Sequence, residues 1–265
     1  MTQDRNETEV SSKLWDELET ELAPGHAARA LKVLFATDGS EEAQAASALL
    51  ELMPFPPGSE IHVLTVTAGA EWTLPEWFVA GEHNWGKSVA ENAAQRLARE
   101  GVRTTPHTRS GSTSYEIIQA AEELDVDLIA LGSKGLTGMA GFFLGSVARN
   151  VAKHARRSVL VARHPRHDLQ HVLLAVDESE HAAAAARFTA GMPLPEGSEV
   201  EVVSVLRPIQ QYAMVAPEFM VQYDEAMRAA REQEREELGK HVQQIAERLT
   251  AHHKRAEPVV LEGDP

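Results

Sequence analysis

The sequence predicts an α/β fold: a doubly wound, five-stranded parallel sheet of order 3-2-1-4-5, followed by a partial second copy of the same unit. Three observations carry this. Apolar β-like runs alternate with alanine-rich stretches at helical spacing, which is the signature of parallel strands joined by crossover helices. The central runs VLFA, DLIALG and VLVA are apolar without alternation, as strands covered on both faces must be. The pattern also repeats: LKVLFATDGSEEAQAA at 31–46 returns as HVLLAVDESEHAAAAA at 171–186, and PPGSEIHVLTV at 56–66 returns as PEGSEVEVVSV at 195–205.

In the first copy the elements follow in order: β1 at 32–37, α1 at 41–53, β2 at 60–67, α2 at 84–100, β3 at 103–109, α3 at 113–125, β4 at 127–132, α4 at 145–156 and β5 at 158–163. The strands are short β-branched or apolar runs, several introduced by Pro and Gly. The helices are stretches in which alanines and leucines recur every three or four positions. Gly101 is the expected stop for α2. Right-handed crossovers then open a ligand crevice where strand order reverses, beyond the carboxyl ends of β1 and β4. Asp38 follows β1 and Gly132 ends β4, so the two are expected to face one another there.

Composition narrows the chemistry. A 265-residue chain with no cysteine has no disulfide framework, zinc–thiolate site or thiol nucleophile, and suits a reducing cytoplasm. No apolar run approaches the length that crosses a bilayer, so no membrane partner is expected. A net charge of −15 argues against nucleic acid as a partner. That charge is locally reversed. The 40 residues between Asp127 and Asp168 hold no Asp or Glu, yet carry Lys134, Arg149, Lys153, Arg156, Arg157, Arg163 and Arg166.

Inside this window lies GSKGLTGMAGFFLGS, with five glycines in the fourteen positions from Gly132 to Gly145. Glycine lets a ligand approach bare backbone, so Gly132 and Gly135 are expected to turn N–H groups inward. Gly145-Ser146 then opens α4, whose unpaired amides and dipole favour an anion. The chemistry indicated is a phosphate cradle. It is neither a Walker loop nor a dinucleotide fingerprint, since GxxxxGK[ST] and GxGxxG are both absent.

The spacing Gly132, two residues, Gly135, nine residues, Gly145-Ser146 resembles the universal stress protein family, whose ATP-binding members carry G-x2-G-x9-G-[ST]. ATDGS at 36–40, DLIALGSKGLTG at 127–138, LGSVARNVAKHA at 144–155 and SVLVAR at 158–163 match that family's segments in order. The resemblance implies a sheet of the adenine nucleotide alpha hydrolase type. It implies ATP or another adenine nucleotide as ligand, with Mg²⁺ or Mn²⁺ beside the phosphates. It assigns adenine and ribose to Asp38 and the backbone of Val66, and ribose and phosphates to Gly132, Gly135, Gly145, Ser146, Val147 and Ala148. It also implies a homodimer joined edge to edge at β5, Ser158 to Ala162, and a nucleotide-dependent stress-response module.

Four segments are therefore expected: an acidic helical extension at 1–30, a complete module at 31–163, a linker at 164–168 and a partial repeat at 169–265. In the second repeat a strand ends near Asp177, a second spans 199–206, a long polar helix spans about 216–252 and a third strand spans 257–261. Residues 114–163 have no counterpart, so this repeat has no phosphate loop, Asp177 faces no cradle, and one nucleotide site per chain is expected. Its first strand should lie at an open sheet edge.

Other features are less pointed. Trp72, Trp77, Trp85 and Phe78 follow β2 and are expected to pack in a core or interface. His164, His167 and His171 straddle Pro165 in the linker and do not form one helical face. KLWDELETEL at 13–22 is a short acidic amphipathic helix with Leu14, Leu18 and Leu22 on one side. Two further functional classes stand beside the nucleotide module: a slow ATPase, for which no base or nucleophile is evident, and a nucleotide-independent interaction protein.

Overall fold

Five parallel strands build the first unit: β1 (Lys32–Ala36), β2 (Glu60–Thr67), β3 (Arg103–Ser110), β4 (Leu128–Gly132) and β5 (Ser158–Ala162), hydrogen-bonded in the order β3-β2-β1-β4-β5. The structure is a computed structural model and describes residues 29–68, 75–134, 144–165, 168–207, 220–251 and 255–263. These fall into two compact units, one formed mainly by residues up to Leu169 and the other mainly by those from Gln170 on.

The strand residues divide by parity between two helix-covered faces. Val33, Phe35, Ile61, Val63, Leu128 and Ala130 share one face and are fully buried. Leu34, Ala36, Leu64, Ile129 and Leu131 occupy the other, in one cluster with Ile117, Ala120 and Ala121 of α3 (Thr113–Glu123) and Ala148 and Val151 of α4 (Ser146–His154). Each such Leu, Ile or Phe contributes about 1.5–3 kcal/mol on full burial. That double burial is why the strands read as unbroken apolar runs.

α1 (Glu41–Leu52) starts where Ser40 Oγ accepts the Ala43 N–H at 3.2 Å, with Glu41 and Glu42 in its first turn. It buries Ala43, Ala45, Ala46 and Leu50. α2 (Glu76–Leu97) begins eight residues before the predicted start at 84 and ends short of Gly101. The discrepancy has a physical cause: the first two turns, EWFVAGEH, carry no buried apolar stripe that a periodicity reading detects. Trp77 is 75% exposed and Trp85 and Phe78 are also exposed, so these aromatics pack in no core of the described residues. Gly101 lies beyond the helix, at φ +79°, where its carbonyl accepts the Gly58 N–H at 2.7 Å. At the same amino end of the strands Asp127 ties β4 to β1. Its backbone N–H donates to Lys32 O at 2.8 Å, its carboxylate accepts the Lys32 N–H at 2.9 Å, and it pairs with Arg29. α4 stops at His154, so Arg156 and Arg157 lie past its end, and Arg157 pairs with Asp125 at 2.6 Å.

The second unit holds β6 (His171–Ala175), α5 (Glu180–Gly191), β7 (Glu199–Leu206), α6 (Met220–Ala251) and β8 (Arg255–Glu262), a parallel three-stranded sheet in the order β6-β7-β8. β6 is an edge strand, as expected. The repeat is visible in local geometry. Ser179 Oγ caps α5 as Ser40 caps α1, Asp177 and Asp38 each accept the backbone N–H two residues on at 3.0 Å, and Gly58 and Gly197 take φ +90° and +84°. Among the described residues no helix is long and apolar enough to cross a membrane.

Candidate functional site

The carboxyl ends of β1, β2 and β4 lie side by side, because Ala36 pairs with Leu64 on one side and Leu131 on the other. Beyond β1 the chain turns sharply. The Thr37 N–H donates to Leu64 O at 2.9 Å, the Gly39 N–H to Thr37 Oγ1 at 3.2 Å and the Ser40 N–H to Asp38 Oδ1 at 3.0 Å. This Asx-type turn holds the half-buried Asp38 at the end of β1, with Gly39 at φ +77° behind it. Val66, near the end of β2, is half-buried and packs against the α3/α4 core.

Gly132 serves a purpose the sequence reading did not foresee. A Cβ there would lie 2.6 Å from the backbone carbonyl of Glu42 and 2.8 Å from the Ala43 nitrogen, so glycine is required by the first turn of α1 crossing over β4. Its φ is not positive. It admits the first turn of a helix. Gly145 likewise directs its N–H into the protein, donating to Ser133 O at 2.8 Å, and a Cβ there would meet Ser133 O and Lys134 Cα at 3.3 Å. Buried Ser133 thus anchors both sides of the loop, since its own N–H donates to Ala162 O at 2.7 Å. Ser133 was missed because a single serine after a strand carries no periodic or motif signal. Gly135 and residues 135–143 lie outside the described residues, as do Trp72, His167, the pair at 252–253 and the segment 13–22.

What this arrangement presents is the start of α4. Gly145 is its N-cap, no side chain of the described residues caps it, as at α2 and α3, and no acid sits in its first turn, whereas α1 and α5 each have a serine cap. The first amides of a helix have no intrahelical acceptor, so those of Ser146, Val147 and Ala148 point outward with the positive end of the dipole. Ser146 is exposed and Ala148 buried. Lys153 and His154 suit the opposite end. Arg149 donates to Leu144 O at 3.2 Å and steadies the loop where it rejoins the helix. Lys134 stands at the end of the preceding strand segment.

Among the described residues, one pair of neighbouring histidines lies on β2 and β3. His62 Nδ1 and His107 Nε2 are 3.0 Å apart on neighbouring strands, with His62 Nε2 3.5 Å from Glu60. Burial holds both imidazoles below the ordinary value, and for His107 the neighbouring His62 and Arg109 act in the same direction. In the second unit, hydrogen bonds from the Ser179 hydroxyl and amide hold the Asp177 carboxyl below the usual range. Among the described residues no three His, Asp or Glu side chains are grouped as a metal site.

A family model described as the universal stress protein family matches residues 30–163 and again 169–265. Universal stress protein YxiE of Bacillus subtilis is 32% identical over 145 residues, covering 50% of this chain and 98% of its own. Universal stress protein G of Escherichia coli O157:H7 is 31% identical over 110 residues, covering 39% of this chain and 77% of its own. A solved universal stress protein from Archaeoglobus fulgidus covers 88% of this chain and 79% of its own at 19% identity, with a TM-score of 0.57. That last likeness is one of fold.

Proposed function

The chain belongs to the universal stress protein family, and from that premise we propose that its first repeat binds one adenine nucleotide, ATP above all, as a nucleotide-dependent regulatory module. The observation that carries this reading is the uncapped Gly145-Ser146 start of α4, bonded to the end of β4 beside the β1 turn, inside a stretch without a single acid. Anions are favoured at such a helix start, and the residues on either side suit the rest of a nucleotide.

In this reading the Ser146, Val147 and Ala148 amides and the Ser146 hydroxyl hold phosphate oxygens, with Gly135 and Gly145 keeping side chains out of the way. Asp38 accepts hydrogen bonds from the ribose or adenine, and the Val66 backbone borders the base. Gly132 borders the ribose and phosphates at the end of β4 and also lets α1 set the position of Asp38. No protein carboxylate cluster is needed for Mg²⁺ or Mn²⁺. Such an ion takes most of its ligands from phosphate oxygens and water, which fits a site whose nearby donors are one hydroxyl and one carboxylate.

The proposal places a complete module at 31–163, a linker at 164–168 and, at 169–265, a repeat without a phosphate loop. It includes cytoplasmic residence, in keeping with a cysteine-free chain. It also includes a homodimer through β5. Among the described residues that strand pairs on one side, with β4, and Ser158, Val159, Leu160 and Val161 are all partly exposed. A dimerising protein indifferent to nucleotide is the second reading, and the same edge favours it.

Calorimetric titration of nucleotide-stripped protein with Mg-ATP separates the two. Binding near one per chain, lost in Gly135→Val, supports the nucleotide module. Two sites per chain, or no heat and no thermal stabilisation, overturns it.

A further inference from the structure

α1 and α2 do not close completely over the first unit's sheet. The cleft between them holds about 240 Å³, room for roughly eight water volumes and less than a drug-sized site. Phe35 of β1 and Thr37 just beyond it, with Ala43 and Ser47 of α1, form its buried floor. Val89 and Ala93 of α2 are partly buried along its side, and Gln44, Asn92 and Arg96 stand exposed at its mouth. Phe35 faces away from the cluster that α3 and α4 cover, so this cleft is distinct from the crevice at the start of α4.

The lining is chemically selective. Among the described residues Arg96 is its only charged side chain, in a chain whose net charge is −15. The guanidinium reaches Glu51 at 3.8 Å, beyond hydrogen-bonding distance, while the Glu51 carboxylate already accepts the Ser47 hydroxyl at 3.1 Å. The Gln44 and Asn92 carboxamides bring further N–H donors. The Thr37 oxygen accepts the Gly39 N–H at 3.2 Å, which leaves its own hydroxyl proton to give. Such donors fit the two oxygens of a carboxylate, which a guanidinium takes in a forked geometry. Phe35, Ala43, Val89 and Ala93 offer hydrocarbon surface to the rest of a ligand.

The second unit supplies an internal comparison. Arg103 opposes Glu60 as Arg255 opposes Glu199, and in the same alignment NAAQRL at 92–97 becomes QIAERL at 244–249. The arginine recurs as Arg248, but the residues around it differ. Thr37, Gln44, Ser47 and Ala93 correspond to Val176, Ala183, Ala186 and Ile245, all apolar and none more than 6% exposed. One copy of the fold thus closes this junction with packed apolar side chains. Hydroxyls, a carboxamide and a small alanine at these positions of the first unit are therefore not a requirement of the fold.

We propose that the cleft between α1 and α2 of the first unit binds a small monocarboxylic acid with a compact apolar body, its carboxylate held by Arg96, Gln44 and Asn92 and its body seated on Phe35 and Ala93. This site is separate from the nucleotide site and does not depend on it.

Benzoate is the probe, and benzamide, of the same shape without the charge, is its control. Each is titrated into the full chain without nucleotide and followed by ligand-observed NMR. Benzoate should bind saturably and benzamide more weakly. Arg96→Gln should weaken benzoate by about tenfold or more, the loss of a charge-assisted hydrogen bond, and leave benzamide unchanged. Ala93→Ile, matching Ile245 of the second unit, should remove the binding of both. No benzoate binding, equal binding of the two compounds, or benzoate binding untouched by either substitution overturns the proposal. Should Ala93→Ile lower the urea midpoint of the first unit, Arg96→Gln, at an exposed helix position, decides by the same criterion.

Discussion

Replacing Gly132 with alanine should damage the first unit through its backbone. The added Cβ would sit 2.6 Å from the Glu42 carbonyl carbon and oxygen and 2.8 Å from the Ala43 nitrogen. Packed carbon atoms rest about 3.5–4.0 Å apart, so the first turn of α1 must retreat by roughly 1 Å. Those atoms are main chain inside a helix capped by Ser40 and cannot rotate away as a side-chain tip would. Overpacking of this kind costs about 1–3 kcal/mol, and the upper half of that range applies because two elements have to separate. The assay is urea unfolding followed by tryptophan emission. With Trp15→Phe in the background, the remaining tryptophans, Trp72, Trp77 and Trp85, all lie between β2 and the end of α2, so the signal reports the first unit. Gly81→Ala is the matched control. Gly81 lies within α2 with nothing within 4 Å of a Cβ, so the same substitution there should stabilise by about 0.5–1 kcal/mol through helix propensity. A Gly132→Ala midpoint within error of wild type would refute the close-approach account of this glycine.

Three other outcomes follow from the same coordinates. Because His62 and His107 titrate below their ordinary value in the folded chain, the unfolded chain takes up protons first as pH falls past about 6.5; stability of the first unit is intact above that value and declines below it. Urea midpoints at pH 7.5 and 5 should differ, and His107→Gln should flatten the difference; an unchanged slope in the variant would remove the pair as its source. Arg99 donates to the Leu50 and Glu51 carbonyls at the end of α1 at 3.2 and 3.1 Å and stacks over Phe55, so Arg99→Ala should cost about 1.5–3 kcal/mol in the same urea assay, and a loss below 0.5 kcal/mol would count against this cap. Gly145→Val, placed 3.3 Å from Lys134 Cα and Ser133 O, should abolish the heat of Mg-ATP binding while the unfolding midpoint moves by less than that of Gly132→Ala; retained binding would remove Gly145 from the site.

Much of the molecule was legible beforehand because it is set locally. Asp38, Gly39 and Ser40 make a turn and a helix cap from hydrogen bonds spanning two or three residues, and the same side chains at 177–179 make it again. The strand order followed from handedness and from strands apolar on both faces. The acid-free window around Gly145-Ser146 was visible as composition. The start of α2 was not, because its first turns expose Trp77 and Trp85 and so lack the buried stripe from which a helix is read.

By itself, then, the sequence determined the α/β class, the repeat, the family and the acid-free, glycine-rich segment at 132–146. Tertiary structure alone decided what individual residues do there. It put Gly132 beneath Glu42, 90 positions away, so that a glycine read in the sequence as part of the ligand loop also admits a helix. It set His62 against His107 and Arg99 against the end of α1. The physical reason is register. Local hydrogen bonds and propensities are written in neighbouring residues, but which distant atoms touch is set by the alignment of strands and the crossing of helices, and that alignment is chosen by burying the whole apolar set at once.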